Sequence, residues 1–192
     1  MKILKIPFSA GGLGKTKGTE LAPDEILKHL KEFYLNESGT LPFFNTEEIK
    51  INQSNIEETN KAITLKVKEN LINSKTILLG GDHSITYSAF KALSNSKENN
   101  PGLLIFDAHP DCMQDFNPPT HEDFVKVLVN QNLIKPENII LVGLRNWHKN
   151  EYEFLKKNRI KYFPMKNLTQ ENLHDVTDSI MYSAKKFSSL YK

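Results

Sequence analysis

Two apolar runs, Thr76-Ile77-Leu78-Leu79 and Gly102-Leu103-Leu104-Ile105-Phe106, each end abruptly in ionisable residues. The first leads into Gly80-Gly81-Asp82-His83-Ser84 and the second into Asp107-Ala108-His109-Pro110-Asp111. Short continuous apolar runs read as strands buried on both faces, the habit of a parallel sheet. The ionisable clusters then fall where a buried strand gives way to a loop, the place where open α/β sheets keep their ligands. Alternate side chains of an extended backbone point the same way, so Asp107, His109 and Asp111 are expected to converge on one point. Two imidazoles and two carboxylates at neighbouring strand ends describe a site for divalent metal, and for a pair of ions.

The rest of the chain fits that frame. Strand-like runs are expected at Met1–Phe8, Glu48–Asn52, Ile139–Gly143 and Ile160–Pro164 besides the two above. Helices are expected near Pro23–Tyr34, Ile56–Asn73, Ser84–Leu93, Glu122–Gln131, Asn150–Asn158 and Thr169–Phe187. Pro23 suits a first helical turn, Asn55 an N-cap, and Ile63, Val67 and Leu71 share one helical face. Such alternation argues for right-handed βαβ units and a parallel sheet covered on both faces. The last legible element is a helix, with nothing after it expected to return to the sheet. The polar stretch Asn95–Asn100 reads as a loop rather than a linker. With 192 residues, 39% hydrophobic and 25% charged, the chain is expected to be a single soluble α/β domain, residues 1–192.

Other classes are disfavoured. The net charge is only +2, and no basic block interleaves with aromatics, so no nucleic-acid partner is expected. No apolar stretch is long enough for a signal peptide or a membrane span. The one cysteine, Cys112, fits a reducing compartment, and a cytoplasmic protein with no membrane association is expected. Gly14-Lys15-Thr16 imitates a phosphate loop, but Ser9 stands where the first glycine of that motif belongs. That segment reads as a flexible loop on the rim of the site.

Plainer readings compete at each residue. Asp107, His109 and Asp111 could merely cap a helix or hold water, but three potential ligands at alternate positions after a buried strand favour metal. The carboxylate-rich mixture suits Mn²⁺ or a similar ion over copper or structural zinc. Asp82 is either a ligand or, more in keeping with its neighbours, a support that orients them or caps the following helix. His121 is either a helix-start residue, with Thr120 as N-cap, or a proton shuttle or substrate contact above the metals. Cys112 reads as structural, and His29, His148 and His174 as surface residues. Met113–Thr120 is expected to line the pocket, with Asp115 and Asn117 as polar contacts.

The Gly-Gly-Asp-His-Ser and Asp-Ala-His-Pro-Asp motifs resemble the first two metal motifs of the ureohydrolase family, which includes arginase, agmatinase and formimidoylglutamase. The Gly-rich segment leading to Ala22-Pro23, and Val142-Gly143-Leu144-Arg145, are similar to further family features. The resemblance implies a three-layer α/β/α fold with a mainly parallel sheet and a dinuclear manganese centre. Two ions about 3.5–4 Å apart would supply hydroxide at neutral pH for attack on the planar carbon of a guanidinium or amidine. It makes Asp107 a bridging and catalytic ligand, places His83 and Asp111 on one ion and His109 on the other, and gives His121 a catalytic role. Glu122 follows that histidine where the family commonly has glycine.

The family's third motif, Asp-x-Asp-x-x-Asp-Pro, has no counterpart, and Asp175 and Asp178 share a helical spacing instead. A truncated arginase-like domain lacking its C-terminal strands is therefore expected, as a fragment, half of a split enzyme, or a degenerate relative. The expected function is metal-dependent hydrolysis of linear amidine or guanidino C–N bonds, releasing urea or an analogue. The alternative is a non-catalytic or split ureohydrolase-like subunit that binds metal weakly and partners another chain. Deacetylase-like chemistry on a related scaffold is a more distant reading. The partners expected are a small guanidino or amidine substrate, with a second copy or a complementing C-terminal chain. Arginine, agmatine and formiminoglutamate are not distinguished.

Overall fold

The computed structural model describes residues 1–41, 43–71, 75–95 and 100–192, all but the side chain of Lys31. These residues group into two compact units, Met1–Ala89 and Phe90–Lys192. Every strand in both pairs in parallel.

In the first unit the sheet order is β2 (Asn45–Glu48), β1 (Lys2–Ile6), β3 (Thr76–Gly80). Ile3, Leu4 and Ile6 of the central strand are buried. Its register sets Lys2 beside Thr76 and Ile6 beside Gly80. Helix α1 (Ala22–Lys28) has Pro23 in its first turn, where a missing N–H costs nothing, and gives way to a 3₁₀ turn at His29–Glu32. Helix α2 (Ile56–Leu71) starts where the Asn55 side chain accepts the N–H of Glu58, as an N-cap should. It buries Thr59, Ile63 and Val67, while Leu71 is exposed. Its expected last residues, 72–74, lie outside the described residues, as do 96–99 of the expected loop.

The second strand begins three residues before its expected start. The apolar Ile49 and Ile51 mark a strand by pattern, yet pairing falls on the polar segment before them. Glu47 meets Lys2 and Lys66, Glu48 meets Lys5, and Ile49 then tucks in, its N–H donating to the Lys5 carbonyl at 3.0 Å. Charge pairing along an edge strand outweighs its weak strand propensity. Helix α3 (Ile85–Ser94) follows β3 and spans the division between the units.

In the second unit the order is β6 (Lys161–Pro164), β5 (Ile139–Leu144), β4 (Pro101–Phe106), β7 (Ser189–Tyr191). All six residues of β5 are buried, as a central parallel strand requires. Asn138 ties the starts of β4 and β5, its Nδ2 donating to Asn100 Oδ1 at 2.7 Å and the Pro101 carbonyl at 3.0 Å. Leu104, Ile140, Val142 and Ile180 form one core with Phe163, Leu168, Val176 and Phe187 against it. Helix α4 (Phe124–Asn130) buries Phe124, Val125, Val127 and Leu128. Helix α5 (Lys149–Asn158) opens with a capping box, and α6 (Leu173–Ala184) supplies Val176 and Ile180 to the core.

The chain does return to the sheet after its last helix, as β7 pairs in parallel with β4, Ser189 beside Pro101 and Tyr191 beside Leu103. Three residues are too few to show a period, so the pattern hid the strand. Glycine at 102 makes room for the turn that precedes it, since a Cβ there would sit 2.0 Å from the Phe187 ring. Among the described residues no helix is long and apolar enough to cross a membrane.

Leu141→Ala, in the fully buried centre of β5, is expected to cost about 2–5 kcal/mol in urea unfolding. Leu65→Ala, at a 63% exposed position of α2, is expected to stay within about 0.5 kcal/mol of the wild type.

Candidate metal centre

Both motifs sit at the carboxyl ends of strands, and each is fixed by backbone hydrogen bonds that prolong the ladder. In the first unit, Gly81 N–H donates to the Ile6 carbonyl at 3.2 Å and Asp82 N–H to the Phe8 carbonyl at 2.9 Å. Only glycine fits at 81, because a Cβ would stand 2.1 Å from that Phe8 oxygen. His83, half-buried, lies in the turn between β3 and α3. Asp82 is 4% exposed and accepts the Ser84 N–H at 2.9 Å and the Ser84 hydroxyl at 2.5 Å. That is a supporting role, in keeping with the reading of Asp82 as an orienting residue. The Gly-rich loop presses on the same turn, since a Cβ on Gly11 would fall 1.9 Å from Ser84 Oγ.

In the second unit, Asp107 follows β4 directly and its N–H donates to the Val142 carbonyl at 3.0 Å. Arg145 and Asn146 N–H groups then both donate to the Ala108 carbonyl, at 2.9 and 3.0 Å. Asp107 Oδ1 accepts the His109 N–H at 2.9 Å and lies 3.5 Å from His109 Nδ1. A carboxylate oxygen of Asp107 and one of Asp111 lie within 4.8 Å of each other, a spacing one cation can bridge. Asp111 is 6% exposed, whereas the His109 side chain is 56% exposed.

Asp107 and Asp111 approach each other by a different route from strand alternation. The strand ends at Phe106, and Asp111 has φ +51°, in the left-handed region. A compact loop therefore brings the carboxylates together, and hydrogen bonds hold several of its peptides. The Asp111 carbonyl accepts from Val125 N–H at 3.1 Å, and Met113 N–H donates to the Glu122 carbonyl at 3.0 Å. Asp123 is fully buried, with Oδ1 accepting Thr120 N–H at 2.6 Å and Thr120 hydroxyl at 2.7 Å. Glu151 is 4% exposed and accepts the Cys112 N–H at 3.0 Å.

His121 lies on this loop, 3.4 Å from Glu122 by Nε2 to Oε1. Helix α4 starts only at Phe124, so Thr120 is not its N-cap and serves the Asp123 carboxylate instead. Asp115 is engaged by Lys126 at 3.1 Å and Asn130 Nδ2 at 2.6 Å. His148, read as a surface residue, is exposed but caps α5, its Nδ1 accepting Asn150 N–H at 3.3 Å. Sequence reasoning missed Asp123 and Glu151. Glu151 stands three residues after a cap, but that cap is histidine, which carries no recognised capping signal.

Beside Asp107 the second unit has an open cavity of about 490 Å³ lined by His109, Val142, Arg145, Met165 and Leu168 among others. Arg145 donates to the Gly143 carbonyl at 3.2 Å and stays exposed. The donor set, two hard carboxylates with imidazole at hand, fits Mn²⁺. Cys112 is 1% exposed and donates to the Pro110 carbonyl, and burial pushes its thiol well above the ordinary range.

The family model described as "Arginase family" matches residues 1–191. An arginase of Staphylococcus aureus (strain COL) is 31% identical over 164 residues, covering 79% of this chain and 51% of the relative. A formimidoylglutamase of Halalkalibacterium halodurans is 30% identical over 162 residues, covering 82% and 48%. The chain thus spans about half the length of these curated relatives. The crystal structure of formimidoylglutamase from Bacillus subtilis superposes with a TM-score of 0.88 at 22% identity, covering 98% of this chain and 62% of that one. At that identity the likeness speaks to fold, and the fold is arginase-like, the three-layer α/β/α class.

A thiol reagent at pH 8 is expected to leave Cys112 unmodified in the native protein and to modify it fully in denaturant. Rapid native labelling would show that the loop after Asp111 is open. The match along residues 1–191 and the two metal motifs give the conclusion that this chain belongs to the arginase family.

Proposed function

We propose that this chain binds Mn²⁺ and takes part in hydrolysis of a linear amidine or guanidino C–N bond, releasing urea or an analogue. The observation that carries the reading is the opposed pair of Asp107 and Asp111 on a braced loop, in a chain of the arginase family. With Asp107 and Asp111, His83 and His109 are the residues that would hold the metal. His83 is included on the strength of its motif and the family.

Bound manganese supplies water acid enough to act as a nucleophile near neutral pH. The chain's own residues do the rest. Carboxylates at 107 and 111 hold the charge in a fixed place, so little reorganisation is needed when charge develops. The cavity beside Asp107 takes a small planar amidine, with Val142, Met165 and Leu168 as its apolar wall. His121 is the proposed proton carrier, receiving or giving a proton at Nε2, the atom that faces Glu122. The proposed partners are the substrate and a second copy or a complementing C-terminal chain.

The test is a Mn²⁺ titration of the full chain, followed by electron paramagnetic resonance and calorimetry. Asp107→Asn, Asp111→Asn and His83→Ala are each expected to weaken binding at least about tenfold. Asp178→Asn, on the exposed face of α6, should bind as the wild type does. A wild-type chain that binds no Mn²⁺ contradicts the reading. Assays of urea or ammonia from arginine, agmatine and formiminoglutamate, alone and with a relative's C-terminal portion added, separate enzyme from binding subunit. Binding without turnover in either assay favours the non-catalytic alternative.

A further inference from the structure

The Glu151 carboxylate has no place in the ligand set, yet it is 4% exposed and both its oxygens are used. Oε1 accepts Cys112 N–H at 3.0 Å and Oε2 accepts His148 N–H at 2.8 Å. Burying a carboxylate is expensive unless it is fully hydrogen-bonded, so its location needs a reason. The second bond is ordinary capping, in the first turn of α5, where the helix dipole also favours negative charge. The first bond crosses to the metal loop and has no capping function.

The peptide joining Asp111 to Cys112 is gripped at both ends. Its carbonyl, from Asp111, accepts Val125 N–H, the second residue of α4, at 3.1 Å. Its N–H, from Cys112, goes to Glu151. Holding both groups fixes the plane of that peptide and therefore ψ of Asp111. The preceding torsion of Asp111 is the uncommon one, φ +51°, which an unbraced aspartate adopts only at some cost. With φ and ψ both set, the Asp111 Cα–Cβ bond is aimed, and the carboxylate starts its approach to Asp107 from a fixed point.

We propose that Glu151 is a positioning residue for the metal centre, holding the Asp111–Cys112 peptide so that the Asp111 carboxylate stays opposed to that of Asp107. The role rests on the proposed function, in which this pair binds Mn²⁺. Groups that orient a ligand without touching the metal typically carry about 10- to 100-fold in metal affinity. Glu151→Gln keeps the shape but turns one acceptor into a donor that faces an N–H.

In the full chain, Glu151→Gln is expected to speed hydrogen exchange of the Cys112 amide at least tenfold. It should also weaken Mn²⁺ binding about 10- to 100-fold at a temperature well below unfolding. Leu155→Val, a fully buried change elsewhere in α5, serves as the control for lost stability. It should lower the unfolding midpoint and leave Mn²⁺ affinity and Cys112 exchange as they were. A purely structural role would weaken binding equally in both variants, and that result overturns the proposal. Unchanged Cys112 exchange in both Glu151→Gln and Glu151→Ala, the second leaving no acceptor, also overturns it, whatever the metal does. A wild type that binds no Mn²⁺ while Cys112 exchange still depends on Glu151 refutes the proposed function and the metal role, but not the brace.

Discussion

The hydrogen bond from Asp107 N–H to the Val142 carbonyl is the last rung of the β4–β5 ladder, and the site depends on it. Up to that rung the backbone is extended and its apolar side chains are packed. Beyond it the two strands part into loops, and the groups freed from pairing must find other partners. Ala108 finds two, the N–H groups of Arg145 and Asn146. Asp107 is thus held where ordered sheet meets open cavity, with a rigid strand behind it and exposed Arg145 nearby. The bulge at Gly143, φ +93°, belongs to the same junction, since a Cβ there would stand 3.3 Å from the Asp107 carbonyl.

Sequence reading recovered the elements whose burial wrote a pattern. Leu103–Phe106 and Ile139–Gly143 are apolar because both faces are covered, and both are strands within two residues of expectation. Ile63 and Val67 announced the inner face of α2, and Asn55 its start. The failures share a cause. Asn45–Glu48 is a strand because lysines on its neighbours meet its carboxylates, and Ser189–Tyr191 because β4 has a free edge for it. Both facts live in another part of the chain, where no local period can report them.

The site divides in the same way. Asp107, His109 and Asp111 were legible as ligand types after a buried strand. The left-handed turn at Asp111 was not, and it replaces the alternation that seemed to explain how Asp107 and Asp111 meet. The braces Asp123 and Glu151 are acidic residues in polar stretches, indistinguishable in sequence from solvated ones. Only their burial and the N–H groups they accept reveal them. Residues of ligand type thus announce themselves by chemistry, while those that brace them announce themselves only by place.

Two carboxylates, Asp107 and Asp111, stand within reach of one cation, and the proposed function rests on them. The most direct measurement is a crystal structure of the full chain grown with saturating Mn²⁺, with data collected at the manganese absorption edge. An anomalous peak is expected within bonding distance of both the Asp107 and the Asp111 carboxylates. A map with no peak there, or with manganese only at other positions, would contradict it.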